Sequence, residues 1–247
     1  MSSTRSSSLA ARLRAFVDVP VRSQTYLNLC YLCLAFPLGV AYLVFVSVGL
    51  VLGVGLTVVL VGVPIFLLTV VGALVAGSVE RVLARHLLDL DVGSRALPAD
   101  GSLRERTVAV LTDTSTWKTV LYLPSKLAFG TLGVVLATSV LATGVSMLLV
   151  PLYYREPGLY VGVVTDRPVE LHPSLYVAWN KLLVGFEAVW TLDAWRVRTF
   201  GDALFVAVAG ALLLVLGLHA LNLLARGARW YTAFMLDDAY APLAGEN

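Results

Sequence analysis

The chain has 247 residues, of which 58% are hydrophobic and only 14% charged, and its mean hydropathy is +0.83. That composition excludes an ordinary soluble enzyme domain and points to a membrane protein. Eighteen Lys and Arg against 16 Asp and Glu leave no basic excess for a nucleic-acid partner. Cys30 and Cys33 are too few for a disulfide framework and lie in an apolar run, so they say nothing about redox compartment.

In chain order, residues 1–24 form a short basic segment. It is not the head of a signal peptide, because the apolar stretch behind it is longer than a signal core and has no small-residue cleavage site. No charge occurs between Arg22 and Glu80. As continuous helix, Leu27 to Val79 would reach about 80 Å at roughly 1.5 Å per residue, enough for two crossings of around 20 residues each. These are placed near 29–50 and 54–79, with the turn at Gly49, Gly53 and Gly55. From Glu80 to Leu90, Val82, Leu83, Leu87 and Leu88 oppose Glu80, Arg81, Arg85 and Asp89, the pattern of an amphipathic helix leaving the membrane. Asp91 to Ser102 reads as a loop and Leu103 to Leu111 as a second short helix. Two further charge-free runs, Lys126 to Arg155 and Asp202 to Arg226, give spans near 127–150 and 203–225. The expected fold is an all-α membrane protein with four transmembrane helices.

Lys and Arg set the orientation. Twelve lie before span one, between spans two and three, or after span four, against none in the first turn and five between spans three and four. Both termini are therefore expected in the cytoplasm of a multi-pass cell-membrane protein. The segment at about 153–202 is then extracytoplasmic. Its short alternating stretches, separated by Pro157, Pro168, Pro173 and Gly201, read as a small β-rich insert. Aromatic residues crowd it, among them Tyr160, Trp179, Trp190 and Trp195. An interfacial belt explains them, and a ligand or partner surface is the alternative.

A 91-residue offset aligns Thr25-Tyr26 with Thr116-Trp117, Tyr31-Leu32 with Tyr122-Leu123, Gly39 with Gly130, and Gly53-Val54 with Gly144-Val145. Arg81 followed by Leu88-Asp89 recurs as Arg229 followed by Leu236-Asp237. The spacing suggests two duplicated hairpins related by an axis along the membrane normal.

Ionisable residues in lipid are costly and count as functional candidates. They nominate Lys126, which can instead snorkel to the headgroups, and His219, which need not be charged. Pro37 and Pro64, inside spans one and two, remove an amide and favour kinks that shape packing or act as hinges. Asn28 and Asn222 can hydrogen-bond between helices. Cys30 and Cys33 share a helical face, but with no further ligand nearby they read as packing residues. No Walker loop, His-Glu-x-x-His helix or Gly-x-Ser-x-Gly elbow occurs, so neither catalysis nor a metal or other cofactor is expected.

Tyr26-Leu-Asn-Leu-Cys-Tyr-Leu-Cys-Leu-Ala-Phe36-Pro37-Leu38-Gly39 resembles the opening of the Putative sensor domain family of archaea and actinobacteria. Lys126-Leu-Ala-Phe129-Gly130 resembles its degraded second copy, and Trp195 to Ala203 the approach to its last helix. The resemblance covers almost the whole chain and implies a sensor-like domain at 25–239, followed by a tail at 240–247. It further implies a sensory role in signalling, since the family domain often precedes a histidine kinase module. After Leu236 only 11 residues follow, so the expected partners are the lipid bilayer, a separate cytoplasmic kinase or regulator, and a second copy of the chain. The alternatives are a small transporter or channel component and a structural membrane subunit.

Overall fold

The computed structural model describes residues 18–96, 102–155, 197, 199–237 and 239–240, together with the backbone of short strands between 160 and 196. Its helices are α1 (Ser23–Gly55), α2 (Gly62–Leu87), α3 (Leu103–Thr112), α4 (Thr114–Leu136), α5 (Ala142–Tyr153) and α6 (Phe200–Leu236). A π-helical segment, Ala137–Leu141, joins α4 to α5. Four stretches, Ser23–Val59, Gly62–Leu87, Thr114–Tyr153 and Phe200–Leu236, are long and apolar enough to cross a membrane. Large apolar side chains such as Val51, Leu68, Leu132 and Leu223 point outward along them. An exterior of that kind is solvated by acyl chains rather than by water, so the chain is a multi-pass membrane protein.

Two compact units divide the chain: Met1–Thr143 with Leu213–Asn247, and Gly144–Leu212. In the first, α1 and α4 cross at glycines. A Cβ on Gly39 would stand 2.5 Å from the Cα of Leu127, and one on Gly130 would stand 2.3 Å from the backbone nitrogen of Phe36. Only glycine lets the two backbones approach so closely. Leu32, Leu123 and Val120 are packed out of reach of solvent around this crossing.

The turn between α1 and α2 lies later than the glycines suggest. Helix α1 runs through Gly49 and Gly53, and the chain reverses over Leu56 to Val61, where Leu60 takes a left-handed φ of 62°. Gly49 and Gly53 instead admit Thr69 and Phe66 of α2 against the α1 backbone, so the missing Cβ serves close packing and not chain reversal. Pro64 falls in the first turn of α2, where a backbone N–H would have no intrahelical acceptor, so proline's missing N–H costs the helix no hydrogen bond. Pro37 is exposed within an unbroken α1.

The amphipathic reading of Glu80 to Leu90 is also revised. Helix α2 continues to Leu87 with Glu80, Arg81 and Ala84 buried, while Val82 is exposed. Glu80 and Arg81 therefore face inward, whereas Arg85 and Asp89 stay exposed and Leu88 is buried. Beyond the helix, Asp89 adopts a left-handed φ of 51°, and the Leu88 and Leu90 amides both donate to the Ala84 carbonyl, a hydrogen-bonded helix stop. Strand β1 (Ser94–Arg95) pairs in parallel with β8 (Ala239–Tyr240), tying the end of the chain to the segment after α2. Helix α3 starts with a capping box between Ser102 and Glu105, in which each side chain bonds the other's backbone amide.

In the second unit, Val150, Val197, Ala203 and Val206 form a small core. Strands β2 (Tyr160–Val161), β3 (Val169–Leu171), β4 (Ser174–Trp179), β5 (Leu182–Glu187), β6 (Trp190–Leu192) and β7 (Trp195–Arg196) pair antiparallel as β2 with β7, β3 with β6 and β4 with β5.

Candidate functional site

The first unit holds an ion pair inside the helix bundle. Glu80 of α2 is 0% exposed and Lys126 of α4 is 2% exposed, and the Lys126 ammonium donates a hydrogen bond to Glu80 Oε2. Tyrosines complete the shell. Tyr42 of α1 donates to Glu80 Oε1 at 2.9 Å, and Tyr122 of α4 donates to Oε2 at 3.4 Å. The Lys126 Nζ also sits 4.6 Å from the ring centre of Tyr31, where the ring face attracts a cation.

Hydroxyls carry the network further. Tyr122 Oη lies 3.4 Å from Tyr31 Oη and 3.1 Å from Thr232 Oγ1 of α6. One phenol proton serves one acceptor at a time. When Tyr122 donates to Glu80, the Tyr31 and Thr232 hydroxyls are the groups able to donate to Tyr122. Next to them Tyr231 donates to Ser125 at 2.8 Å, and Ser125 donates to the Tyr122 carbonyl at 2.6 Å. Residues of α1, α2 and α4 therefore meet at one carboxylate, and Thr232 of α6 joins them through Tyr122. In a medium without water an unpaired charge is severely penalised, so this arrangement couples the positions of α1, α2, α4 and α6.

Arg81, the neighbour of Glu80, points elsewhere. It is 7% exposed, and its Nη2 donates to the carbonyls of Leu236 and Ala239 at 3.1 Å each. At the same bundle end Arg95 pairs with Asp113 and lies 4.4 Å from the ring centre of Tyr240. Asp113 also accepts from the Ser115 amide at 2.8 Å, capping α4. Burial works to raise the Asp113 carboxyl, but the bonds from Ser115 and Tyr240 and the Arg95 charge outweigh it and hold it below its ordinary value of 3.8. These contacts join the β1–β8 clasp to the helix ends that bear the ion pair.

Of the residues nominated from sequence, Lys126 is at the centre of the site. It does not snorkel, because its counter-ion is inside. His219 is partly buried on α6. Asn28 donates to Asn222 at 2.8 Å, which in turn donates to Thr25 at 3.1 Å, so the expected interhelical amide bond is present. Cys30 and Cys33 are exposed on α1 and contribute no core packing. Tyr160, Trp179, Trp190 and Trp195 fall in β2, β4, β6 and β7, and their side chains lie outside the described residues. Among the described residues no group of three or more His, Cys, Asp or Glu could hold a metal ion.

Sequence reading missed Glu80, Tyr42 and Thr232. A signal for Glu80 existed: a lone lysine in an apolar helix calls for an acid at similar depth, and Glu80 is the first acid after the second apolar run. Tyr31 and Tyr122 were visible as a recurring pair, and the structure sets them against each other.

The family model described as "Putative sensor" matches residues 31–236, a span that holds every residue of the ion-pair network. No curated protein and no solved structure matches the chain.

Proposed function

The chain belongs to the Putative sensor family, and from that premise we propose that it relays an extracytoplasmic or membrane stimulus to a separate cytoplasmic partner, a kinase or regulator. The observation that carries this reading is the Glu80–Lys126 pair, buried where four helices meet. Separating α2 from α4 would strand each charge in an apolar medium. Partly opened arrangements are therefore disfavoured, so a shift of the bundle would run between discrete arrangements, as a switch requires. A stimulus selects between them only if it binds them with different free energies.

In this reading the segment between α5 and α6 is an extracytoplasmic β-rich insert that receives the stimulus, and both termini are cytoplasmic. The β1–β8 clasp, held by Arg81, Arg95 and Asp113, presents the change to the partner. We further read the two helix pairs as duplicated hairpins. Support comes from reciprocity at the crossing: Gly39 meets Leu127 and Gly130 meets Phe36, residues related by the same interval of 91 that separates Tyr31 from Tyr122. A two-fold-related interface has that property, each contact occurring twice with the roles exchanged.

A second reading, a small transporter, draws on the same buried charges, since paired ionisable groups within spans also mark ion pathways. One experiment separates the two. Full-length protein, a Glu80→Gln variant and a deletion of residues 157–198 are purified from native membranes, and the co-purifying kinase or regulator is quantified. In parallel, each is reconstituted for ion flux. A partner whose association shifts in both variants, without flux, supports relay. Flux that vanishes with Glu80→Gln, or a partner bound equally by all three, would reject it.

A further inference from the structure

A cavity of about 210 Å³ opens at the bundle end that carries the start of α1, the end of α2 and the last turns of α6. That is roughly ten times or more the space a single water needs. Its floor is made by Thr25, Asn28 and Asn222, and its rim carries Arg22, Arg226 and Arg229. The floor is occupied with itself: Asn28 donates to Asn222, Asn222 to Thr25, and Thr25 to the Val19 carbonyl at 3.0 Å. On α6, Asn222, Arg226 and Arg229 stand at i, i+4 and i+7, one stripe of the helix, so both arginines share the face that carries the floor amide.

We infer that this cavity is a binding site for a phosphate-bearing anion. Guanidinium has five N–H donors and no acceptor, so three of them around one opening select a ligand rich in acceptors and negative in charge. Their planar forks match a phosphate bidentately. The opposing group is Asp89, whose carboxylate also lines the opening. On α6 alone the Arg226 and Arg229 guanidiniums outnumber that carboxylate, and a phosphate group, whose several anionic oxygens can each accept from a fork, suits the excess. The ends of apolar spans lie at headgroup level, where basic recesses between helices meet the phosphates of anionic lipids. A soluble phosphate presents the same oxygens, and the two sources share one chemistry.

The test uses the full chain purified in detergent. Retention of phosphatidylglycerol against phosphatidylcholine is read by native mass spectrometry, and thermal unfolding is read in sodium phosphate against sodium chloride at equal ionic strength. Phosphatidylglycerol is expected to be retained in preference to phosphatidylcholine, with an Arg226→Gln/Arg229→Gln variant at least about tenfold weaker. The corresponding double Lys variant, which keeps charge but loses the forks, falls between. Preference for the lipid without stabilisation by phosphate assigns the site to a headgroup; stabilisation by phosphate as well assigns it to a soluble phosphate ligand. If the wild-type chain shows neither effect, or a folded Gln variant binds as tightly as wild type, there is no such site. The wild-type comparison decides this even if the variant does not fold.

Discussion

Replacing Lys126 by methionine keeps an unbranched side chain of similar length and removes the ammonium. The Glu80 carboxylate, 0% exposed, would be left, among the described residues, with the Tyr42 and Tyr122 hydroxyls as donors. Because neither charge of the pair reaches solvent, screening does not soften the loss. Removing one partner of a buried pair costs about 3–5 kcal/mol. At roughly 2–4 °C per kcal/mol for a chain of this size, Lys126→Met should unfold about 6–20 °C below wild type. Glu80→Gln should behave alike. The double variant removes both charges and leaves an apolar chain beside a neutral amide, an exchange that is commonly close to neutral. Its destabilisation should fall short of the sum of the single effects by about 3 kcal/mol or more, the signature of direct coupling. Reversible unfolding in mixed micelles, followed by tryptophan fluorescence, measures all four proteins under one condition. Additive effects, or a Lys126→Met protein as stable as wild type, would show that the two charges do not pair inside the bundle.

Tyr42→Phe removes one hydroxyl from a charged acceptor and should cost about 0.5–1.5 kcal/mol in the same unfolding assay, less than either charge removal. Gly130→Val would drive a side chain into the backbone at Phe36; it should prevent α1 and α4 from crossing and give aggregated or proteolysed protein on size-exclusion chromatography, whereas Gly227→Ala, which meets nothing within 4 Å, should not. The Asp113 carboxyl titrates below its ordinary 3.8, so its contribution to the clasp is fully present above that pH and is lost as pH falls through the lower, folded value. The Ser115 amide resonance should accordingly shift with its midpoint below pH 3.8, and Asp113→Asn should abolish that shift; a midpoint above pH 3.8 would contradict the assignment.

Four long helices were legible because absence of charge is a local property, visible in a window of about 20 residues. The site was not, for the same reason. A hydropathy scan treats Glu80 as the point where the chain leaves the lipid, and Lys126 as the point where it enters. Each charge is in fact satisfied by the other, across an interval of 46 residues, and a window along one segment cannot register that. Glycine carries a related ambiguity. At Gly49 and Gly53 the absence of a side chain fits both a turn and a close contact, and only the presence of Thr69 and Phe66 opposite decides between them. Arg81 shows a third limit: its carbonyl acceptors belong to Leu236 and Ala239, backbone groups that no side-chain pattern announces. Asn28 and Asn222 were readable as partners because two amides at similar depth in apolar helices have few other ways to be satisfied.

Glu80 and Lys126 touch inside the bundle. Dipolar recoupling by solid-state NMR between an isotope-labelled Lys126 Nζ and the Glu80 carboxyl carbon, in liposomes and with Glu80→Gln to confirm the assignment, tests it directly. A coupling as strong as that of a hydrogen-bonded ammonium and carboxylate is expected. A Lys126 resonance with no coupling to that carbon, exchanging with bulk water like an exposed lysine, would contradict it.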